Sequence, residues 1–175
     1  MKKHYKEIMN QIDTFIFDVD GVLTNGYVHV FANGELGRQM NIKDGYSLKA
    51  AINAGYRICI ISGGTNEGVR NRLKGLGIED IYLGVHDKTE KFNELVDMYQ
   101  LSTNNIFYMG DDIPDYEVMQ KVGLASCPKD AVPEIQSICQ YISQKKGGEG
   151  CVRDVIEQVL KVQGKWHQQF DAKFD

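Results

Sequence analysis

The sequence predicts an α/β fold: a three-layer, Rossmann-like arrangement in which a parallel sheet has helices on both faces. Along most of the chain, short apolar runs alternate with longer amphipathic stretches, and this alternation is typical of right-handed crossovers in a parallel sheet. Asp18 and Asp20 follow one apolar, β-favouring run, residues 14–17. A second acidic cluster, residues 111–115, follows another such run, residues 106–109. Because parallel strands end at one edge of a sheet, we expect the two clusters to lie together.

Each predicted element follows from a local pattern. Spaced apolar residues predict a short helix within residues 1–13, which precedes the strand at 14–17. Asn33 and Gly34 predict a protruding β-hairpin over residues 27–40, because these residue types tolerate the positive φ of a tight turn. The rest of the chain alternates between helices, near 45–54, 65–75, 88–99, 113–121, 131–136 and 151–163, and strands, near 57–61, 81–83, 106–109, 124–126 and 139–142.

Size and composition predict one domain over residues 1–175. The chain is 42% hydrophobic and 25% charged, as is ordinary for a globular protein. The C-terminal tail, residues 164–175, mixes aromatic and charged residues without periodicity. The net charge of −4 argues against nucleic acid as a partner.

Targeting signals and cysteine patterns predict a cytoplasmic protein with no membrane partner. No uninterrupted apolar stretch follows the basic start that could form a signal-peptide core or a membrane span. The four cysteines include no Cys-x-x-Cys pair and no histidine lies at zinc-like spacing. We therefore expect reduced thiols, with neither a disulfide nor zinc.

The acidic clusters predict a bound metal and phosphate chemistry, because several carboxylates at one point repel each other unless a cation lies among them. Asp18 is a suitable nucleophile, since a carboxylate can form an acyl phosphate that water later cleaves. Asp20 lies on the same side of an extended chain, where it can protonate the leaving alkoxide and then activate water. The alternative is that Asp20 only forms a turn with Gly21 and that Asp18 only caps a helix.

Four further residues at predicted strand ends could bind phosphate: Ser62, Gly63, Gly64 and Lys88. Ser62 opens a Gly-Gly turn into a helix, so its hydroxyl and the following N–H groups can hold phosphate oxygens, although serine is also a common helix cap. Lys88 begins a helix, where the helix dipole disfavours a cation unless an anion lies nearby. We expect Lys88 to neutralise the nucleophile and the phosphate.

The second cluster, Gly110-Asp-Asp-x-x-Asp115, supplies the oxygen ligands that Mg²⁺ prefers. We assign Asp111 to the metal and expect Asp112 and Asp115 to support it, either as direct ligands or by holding the ligands in place.

In chain order, the segments Asp-Val-Asp-Gly-Val-Leu-Thr, Ile-Ile-Ser-Gly, a later lysine and Gly-Asp-Asp-x-x-Asp resemble the four motifs of the haloacid dehalogenase superfamily of phosphohydrolases. The resemblance spans residues 14–126. It implies a magnesium-dependent phosphatase with an aspartyl-phosphate intermediate, in which Asp18, the backbone carbonyl of Asp20 and Asp111 hold the metal.

Members of that superfamily usually carry a cap domain, but here the gaps between the motifs are too short for one. A solvent-open site would shield phosphate hydrolysis poorly, so we expect a neighbouring subunit to supply the lid. The hairpin or the glycine segment, residues 147–150, could do this. The alternatives are a small edge extension for the hairpin and a simple loop for the glycine segment.

Within the superfamily, this capless chain is similar to the tetrameric 3-deoxy-D-manno-octulosonate 8-phosphate phosphatases. The segments that carry the similarity are the hairpin, Asn41-x-x-Asp44-Gly45-Tyr46, Gly147-Gly-x-Gly150-x-x-Arg153 and Gln163-Gly-Lys165. The similarity implies a homotetramer that acts on a small phosphorylated keto sugar acid in lipopolysaccharide inner-core synthesis. The alternatives are a phosphatase for a nine-carbon keto sugar acid 9-phosphate and a non-catalytic cation-binding scaffold.

The substrate-binding residues are expected in the loop after Ser62 and among nearby arginines. Gly64 departs from the family, whose other members carry a charged side chain there, so any sugar contact made by that side chain is lost. Besides Gly63 and Gly64, Arg72 and a neighbour's Arg153 could bind the substrate carboxylate. Both arginines could equally be ordinary surface or interface residues.

Overall fold

The computed structural model describes residues 4–166, and its main feature is a six-stranded sheet in which all neighbouring strands are parallel. The strands, in chain order, are β1 (Thr14–Phe17), β2 (His29–Val30), β3 (Leu36–Gly37), β4 (Arg57–Ile61), β5 (Asp80–Tyr82), β6 (Ile106–Met109), β7 (Leu124–Cys127) and β8 (Tyr141–Ile142). The sheet order is β5-β4-β1-β6-β7-β8, whereas β2 and β3 form a separate antiparallel pair. The predicted parallel sheet with a protruding hairpin is confirmed.

Helices cover both faces of this sheet. They are α1 (Tyr5–Met9), α2 (Ile42–Asn53), α3 (Glu67–Gly75), α4 (Lys88–Tyr99), α5 (Tyr116–Met119), α6 (Pro133–Ile138) and α7 (Cys151–Val162). Buried residues of α1, α2, α3 and α7 share one core cluster, and those of α4, α5 and α6 share a second. On β1, Phe15 and Phe17 face the first cluster and Ile16 the second, since successive strand residues point to opposite faces. The three-layer prediction is therefore confirmed.

The helix predicted over residues 113–121 is replaced by two shorter pieces. A 3₁₀ turn, Ile113–Asp115, precedes the single turn of α5. The buried Asp115 side chain accepts hydrogen bonds from Lys88 and Tyr108, which lie on other elements. These contacts hold the start of the segment in a tighter conformation than its helical pattern predicts.

The hairpin lies within the predicted residues 27–40, but its turn differs in detail. Gly34 has a φ of 86°, whereas among the described residues Asn33 is not one of those with a positive φ. The N–H of Phe31 bonds the carbonyl of Glu35, and the N–H of Gly34 bonds the carbonyl of Phe31. A three-residue loop of this kind needs one left-handed residue, and glycine takes that position without a steric penalty.

Most other boundaries differ from the prediction by a few residues. Helix α2 begins at Ile42, because the Asn41 side chain caps it by accepting from the N–H of Lys43. The start of the predicted first helix, residues 1–3, and the predicted tail beyond residue 166 lie outside the described residues. Across residues 4–166, no helix has the length and apolar composition needed to cross a lipid bilayer.

Candidate active site

Asp18 lies at the carboxyl end of β1, where a kinked loop, Val19–Leu23, with Gly21 at a φ of 82°, replaces the extended strand. Its carboxylate is buried. One oxygen accepts from the N–H of Val19 at 2.6 Å, and the other lies 2.8 Å from Nζ of Lys88. The backbone leaves the strand at Asp18, and the carboxylate of Asp18 lies against Lys88 at the carboxyl edge of the sheet.

Lys88, the first residue of α4, is 6% exposed and lies between two carboxylates. Its Nζ is 2.8 Å from Oδ2 of Asp18 and 2.7 Å from Oδ1 of Asp115. Burial lowers the pKa of Lys88, but the two negative charges more than offset this effect and leave the pKa raised. The anions expected near this helix start are therefore present, and Lys88 stays charged.

Asp115 is held by donors from three directions. Besides Lys88, the Tyr108 hydroxyl donates to Oδ1 at 2.7 Å and the N–H of Asp111 donates to Oδ2 at 3.2 Å. Burial first, and then the charge of Asp115, raise the pKa of Tyr108 well above its usual value, so its hydroxyl keeps the proton it donates. Gly110 permits this packing, because a Cβ at that position would lie 2.4 Å from Cβ of Asp115.

Asp18, Asp111 and Asp115 form a cluster suited to a hard cation, since each offers a carboxylate oxygen within 4.8 Å of the others. Burial, followed by the charge of Asp115, raises the pKa of Asp18 to about 7. Burial, followed by the charges of Asp18 and Asp115, raises the pKa of Asp111 to about 7 as well. The raised pKa values show that the buried Asp18 and the half-buried Asp111 resist ionising together, and a divalent cation would supply the positive charge that they need.

The acidic residues of the second cluster therefore take different positions. Asp115, predicted to support the metal directly or indirectly, belongs to the three-carboxylate group, and its Oδ1 is already engaged by Lys88 and Tyr108. Asp112 is exposed and accepts from the N–H of Ile113, which makes it the cap of the 3₁₀ turn. Of the two predicted supporting groups, only Asp115 contacts the site residues directly.

Asp20 is paired with an arginine that the sequence analysis did not identify. Nε of Arg38 lies 2.6 Å from Oδ1 of Asp20, and Nη2 lies 3.1 Å from Oδ2. This bidentate pair joins the loop after β1 to the hairpin. No local pattern marks Arg38, because its partner lies 18 positions earlier in the chain.

Ser62 ends β4 at the same edge of the sheet and is buried. Its hydroxyl accepts from the N–H of Gly64 at 3.3 Å. Helix α3 begins later than predicted, because Asn66 is its cap and accepts from the N–H of Val69. The structure thus places a Ser-Gly-Gly loop beside the carboxylates, and a Cβ on Gly64 would lie 3.0 Å from Oδ2 of Asp20.

The glycine segment, residues 147–150, packs on the loop that follows β1 in the same chain. A Cβ on Gly147 would lie 1.9 Å from the carbonyl oxygen of Gly21, so only glycine fits. The N–H of Gly148 bonds the carbonyl of Val22 at 3.0 Å. This segment, predicted as a possible lid or a simple loop, therefore supports the loop that carries Asp20 within its own chain.

The two arginines proposed for the substrate carboxylate make their described contacts elsewhere. Nη2 of Arg72 lies 2.6 Å from the position that a Cβ on Gly45 would occupy. Arg153 pairs with Glu157 at 2.6 Å, and its guanidinium lies over the ring of Tyr46. Within one chain neither arginine joins the carboxylate cluster.

Asp44, in one of the segments that carry the similarity to the eight-carbon sugar-acid phosphatases, has a structural contact. It is buried, and its Oδ1 accepts from the N–H of Arg153 at 2.8 Å, in the first turn of α7. Burial raises the pKa of Asp44 to about 6, although this hydrogen bond opposes the shift. The residue therefore joins α2 to α7.

Two clefts of about 650 Å³ each border the site. One lies between the hairpin and the loop after β4, and Arg38, Gly63 and Gly64 line it. The other is lined by residues 86–89, at the start of α4, and by part of the 113–117 segment. The first cleft borders Asp20, through Arg38, and the second borders Lys88.

The comparisons with known proteins agree with this geometry. Residues 80–156 match the haloacid dehalogenase-like hydrolase family. The chain is 36% identical over 154 residues to the 3-deoxy-D-manno-octulosonate 8-phosphate phosphatase KdsC of Escherichia coli, which covers 88% of this chain and 82% of that protein.

Solved structures show the same fold. The phosphatase of this name from Yersinia pestis superposes with a TM-score of 0.91 at 32% identity, covering 94% of this chain and 89% of that one. The one from Moraxella catarrhalis, solved with a magnesium ion, a phosphate ion and a KDO molecule, has a TM-score of 0.88 at 30% identity, covering 91% of each chain. The site has aspartates beyond the ends of β1 and β6 with a lysine between them, and the similarity to these phosphatases extends along almost the whole chain. The protein therefore belongs to the 3-deoxy-D-manno-octulosonate 8-phosphate phosphatase family of haloacid dehalogenase-like hydrolases.

Proposed function

We propose that this protein hydrolyses 3-deoxy-D-manno-octulosonate 8-phosphate to the free sugar acid and phosphate, with Mg²⁺ as cofactor. The observation that carries the proposal is the contact of Asp18 with Lys88, beside Asp111 at the carboxyl edge of the sheet. The relatives that share this fold along most of the chain carry this substrate in their names.

The proposed reaction has two steps, both centred on Asp18. In the first, an oxygen of its carboxylate bonds to phosphorus, the bond from phosphorus to the sugar oxygen breaks, and Asp20 gives the leaving alkoxide a proton. In the second, Asp20 takes a proton from water as the water oxygen bonds to phosphorus. The acyl phosphate bond then breaks, which frees phosphate and restores the Asp18 carboxylate.

The remaining site residues would bind and orient the phosphate. Lys88 offsets part of the negative charge beside Asp18, and the Ser62 hydroxyl with the N–H groups of Gly63 and Gly64 can donate to phosphate oxygens. The carboxylates of Asp18 and Asp111, with the backbone carbonyl of Asp20, would hold Mg²⁺. The ion would neutralise charge on the phosphate and on the carboxylates around it.

A substrate panel tests the assignment. We expect kcat/KM for the eight-carbon keto sugar acid 8-phosphate to exceed that for a nine-carbon 9-phosphate by about tenfold or more, because a site shaped for one chain length misplaces the other. Both rates are measured at saturating Mg²⁺ by phosphate release. A preference for the nine-carbon substrate would support the alternative assignment, and no turnover of any sugar phosphate would support the cation-binding scaffold.

We also propose that the protein is a homotetramer in which a neighbour's hairpin covers the site. Apolar side chains on and just after the hairpin are exposed: Tyr27 by 77%, Val30 by 75% and Ile42 by 70%. Exposed apolar groups concentrated on one protruding segment are typical of an assembly surface.

We also propose a cytoplasmic location. The four free cysteines support it, because free thiols suit a reducing compartment.

Sedimentation and activity together test the lid. We expect the triple change of Tyr27, Val30 and Phe31 to serine to convert the tetramer into smaller species and to lower kcat/KM by about tenfold or more, because water would then reach the site freely. The control is Met98→Ser, which removes an apolar side chain that is 61% exposed on α4. A monomeric triple variant with full activity would refute the lid.

A further inference from the structure

Arg38 has hydrogen-bonding capacity beyond its pair with Asp20. A guanidinium has five N–H groups. Nε and Nη2 each donate to the Asp20 carboxylate, and Nη1 donates to the carbonyl of Leu36 at 3.2 Å. One N–H on each of the two terminal nitrogens therefore has no partner among the described residues. Two neighbouring terminal N–H groups match the two oxygens of a carboxylate.

These groups border the cleft between the hairpin and the loop after β4. The cleft is about 650 Å³, which is large enough for a small ligand. Arg38 is the only basic residue among those that line it within residues 4–166. The two acidic lining residues are Glu35, which is exposed, and Glu67, which is paired with Arg70 at 3.1 Å. An anionic group entering this cleft would therefore find its cationic partner in Arg38.

Gly64 leaves the space that this arginine uses. A Cβ on Gly64 would lie 3.2 Å from Nη2 of Arg38, closer than almost all side chains pack. The φ of Gly64 is not in the left-handed region, so its backbone does not demand glycine. The absence of a side chain at Gly64 gives the guanidinium of Arg38 room beside Asp20. The positive charge in this cleft is therefore carried by the hairpin and not by the loop after β4.

We propose that Arg38 binds the carboxylate of the sugar-acid substrate, in the cleft between the hairpin and the loop after β4. This inference rests on the proposed function. The phosphate would lie over Asp18 and Lys88, whereas Asp20 donates its proton to the leaving sugar. Arg38 contacts Asp20 and lines a cleft whose lining does not include Asp18 or Lys88, so the anion within its reach would be the one on the sugar.

The test compares the two products as inhibitors of Arg38→Met, which keeps an unbranched side-chain stem and removes the charge and the donors of the guanidinium. The inhibition constant of the sugar acid is expected to rise by about 10- to 100-fold, the effect of losing a charge-assisted bidentate contact. The inhibition constant of inorganic phosphate should change by less than about threefold, because phosphate does not need this arginine. Any effect that the variant transmits through Asp20 to turnover cancels in this comparison.

Arg57→Met serves as the control, since this arginine, the first residue of β4, is paired with Asp80 and does not line the cleft. It should leave both inhibition constants unchanged, and thermal unfolding of both variants checks that they fold. Equal inhibition of Arg38→Met and the unaltered protein by the sugar acid would overturn the proposal for Arg38 while leaving the proposed function intact. A rise for phosphate as large as that for the sugar acid would also overturn it. If the unaltered protein neither hydrolyses the sugar-acid phosphate nor binds the sugar acid, the proposed function and this inference both fail.

Discussion

Asp18→Asn is expected to lower kcat by about 10³-fold or more while the protein stays folded. The change removes the oxygen that would attack phosphorus, and an amide is too weak a nucleophile to replace it. Folding should persist, because burial raises the pKa of Asp18 to about 7 and the ionised carboxylate is therefore an unfavourable group in the metal-free protein. Single-turnover phosphate release measures the chemical step, and circular dichroism with thermal unfolding measures the fold.

Asp97→Asn is the matched control for this experiment. This substitution makes the same chemical change as Asp18→Asn, but at an exposed position of α4. The side chain of Asp97 has no described ion pair. Its kcat should stay within about twofold of the unaltered value, as is usual for exposed positions away from a site. Activity close to normal in Asp18→Asn would contradict the aspartyl-phosphate mechanism.

Removal of Mg²⁺ by a chelator is expected to abolish turnover and also to lower thermal stability. At a Mg²⁺ concentration about 100 times its Kd, binding to the folded state stabilises it by about 2.7 kcal/mol. For a chain of this length, that energy corresponds to a rise of roughly 5–10 °C in Tm. The stability readout is independent of catalysis, so it tests metal binding separately from turnover.

This stabilisation should depend on pH with a defined sign. The pKa values of Asp18 and Asp111 are raised from 3.8 to about 7 in the fold. Without metal, their contribution to stability is therefore present below about pH 4 and is lost as the pH rises through about 7. Protons compete with Mg²⁺ for the same oxygens, so the Mg²⁺-induced rise in Tm should be large near pH 8 and small near pH 5.5.

Asp111→Asn provides the comparison for the metal experiment. It removes one of the three clustered carboxylates and should reduce the Mg²⁺-induced rise in Tm at every pH. In the chelated protein, the same change should make stability less dependent on pH between about 5 and 8. A rise in Tm that is unaffected by Asp111→Asn would place the ion elsewhere.

The regular elements were predictable because their signals are local. The apolar runs that became β1, β4 and β6 bury side chains on both faces, as strands in the middle of a parallel sheet do. Errors arose where distant residues determine the backbone. The 3₁₀ turn at residues 113–115 is an example, since the side chain of Asp115 is held by groups from α4 and β6.

The same distinction between local signals and contacts of distant residues applies to the candidate site. From the sequence, Asp18, Lys88 and Asp111 were expected at one edge of the sheet because parallel strands end together, and the structure brings their side chains together there. The contact of Asp115 with Lys88 and the pairing of Arg38 with Asp20 depend on tertiary packing. The physical reason is that periodicity and strand ends are encoded over a few neighbouring residues. Contacts between a hairpin and a loop depend instead on how the whole chain packs.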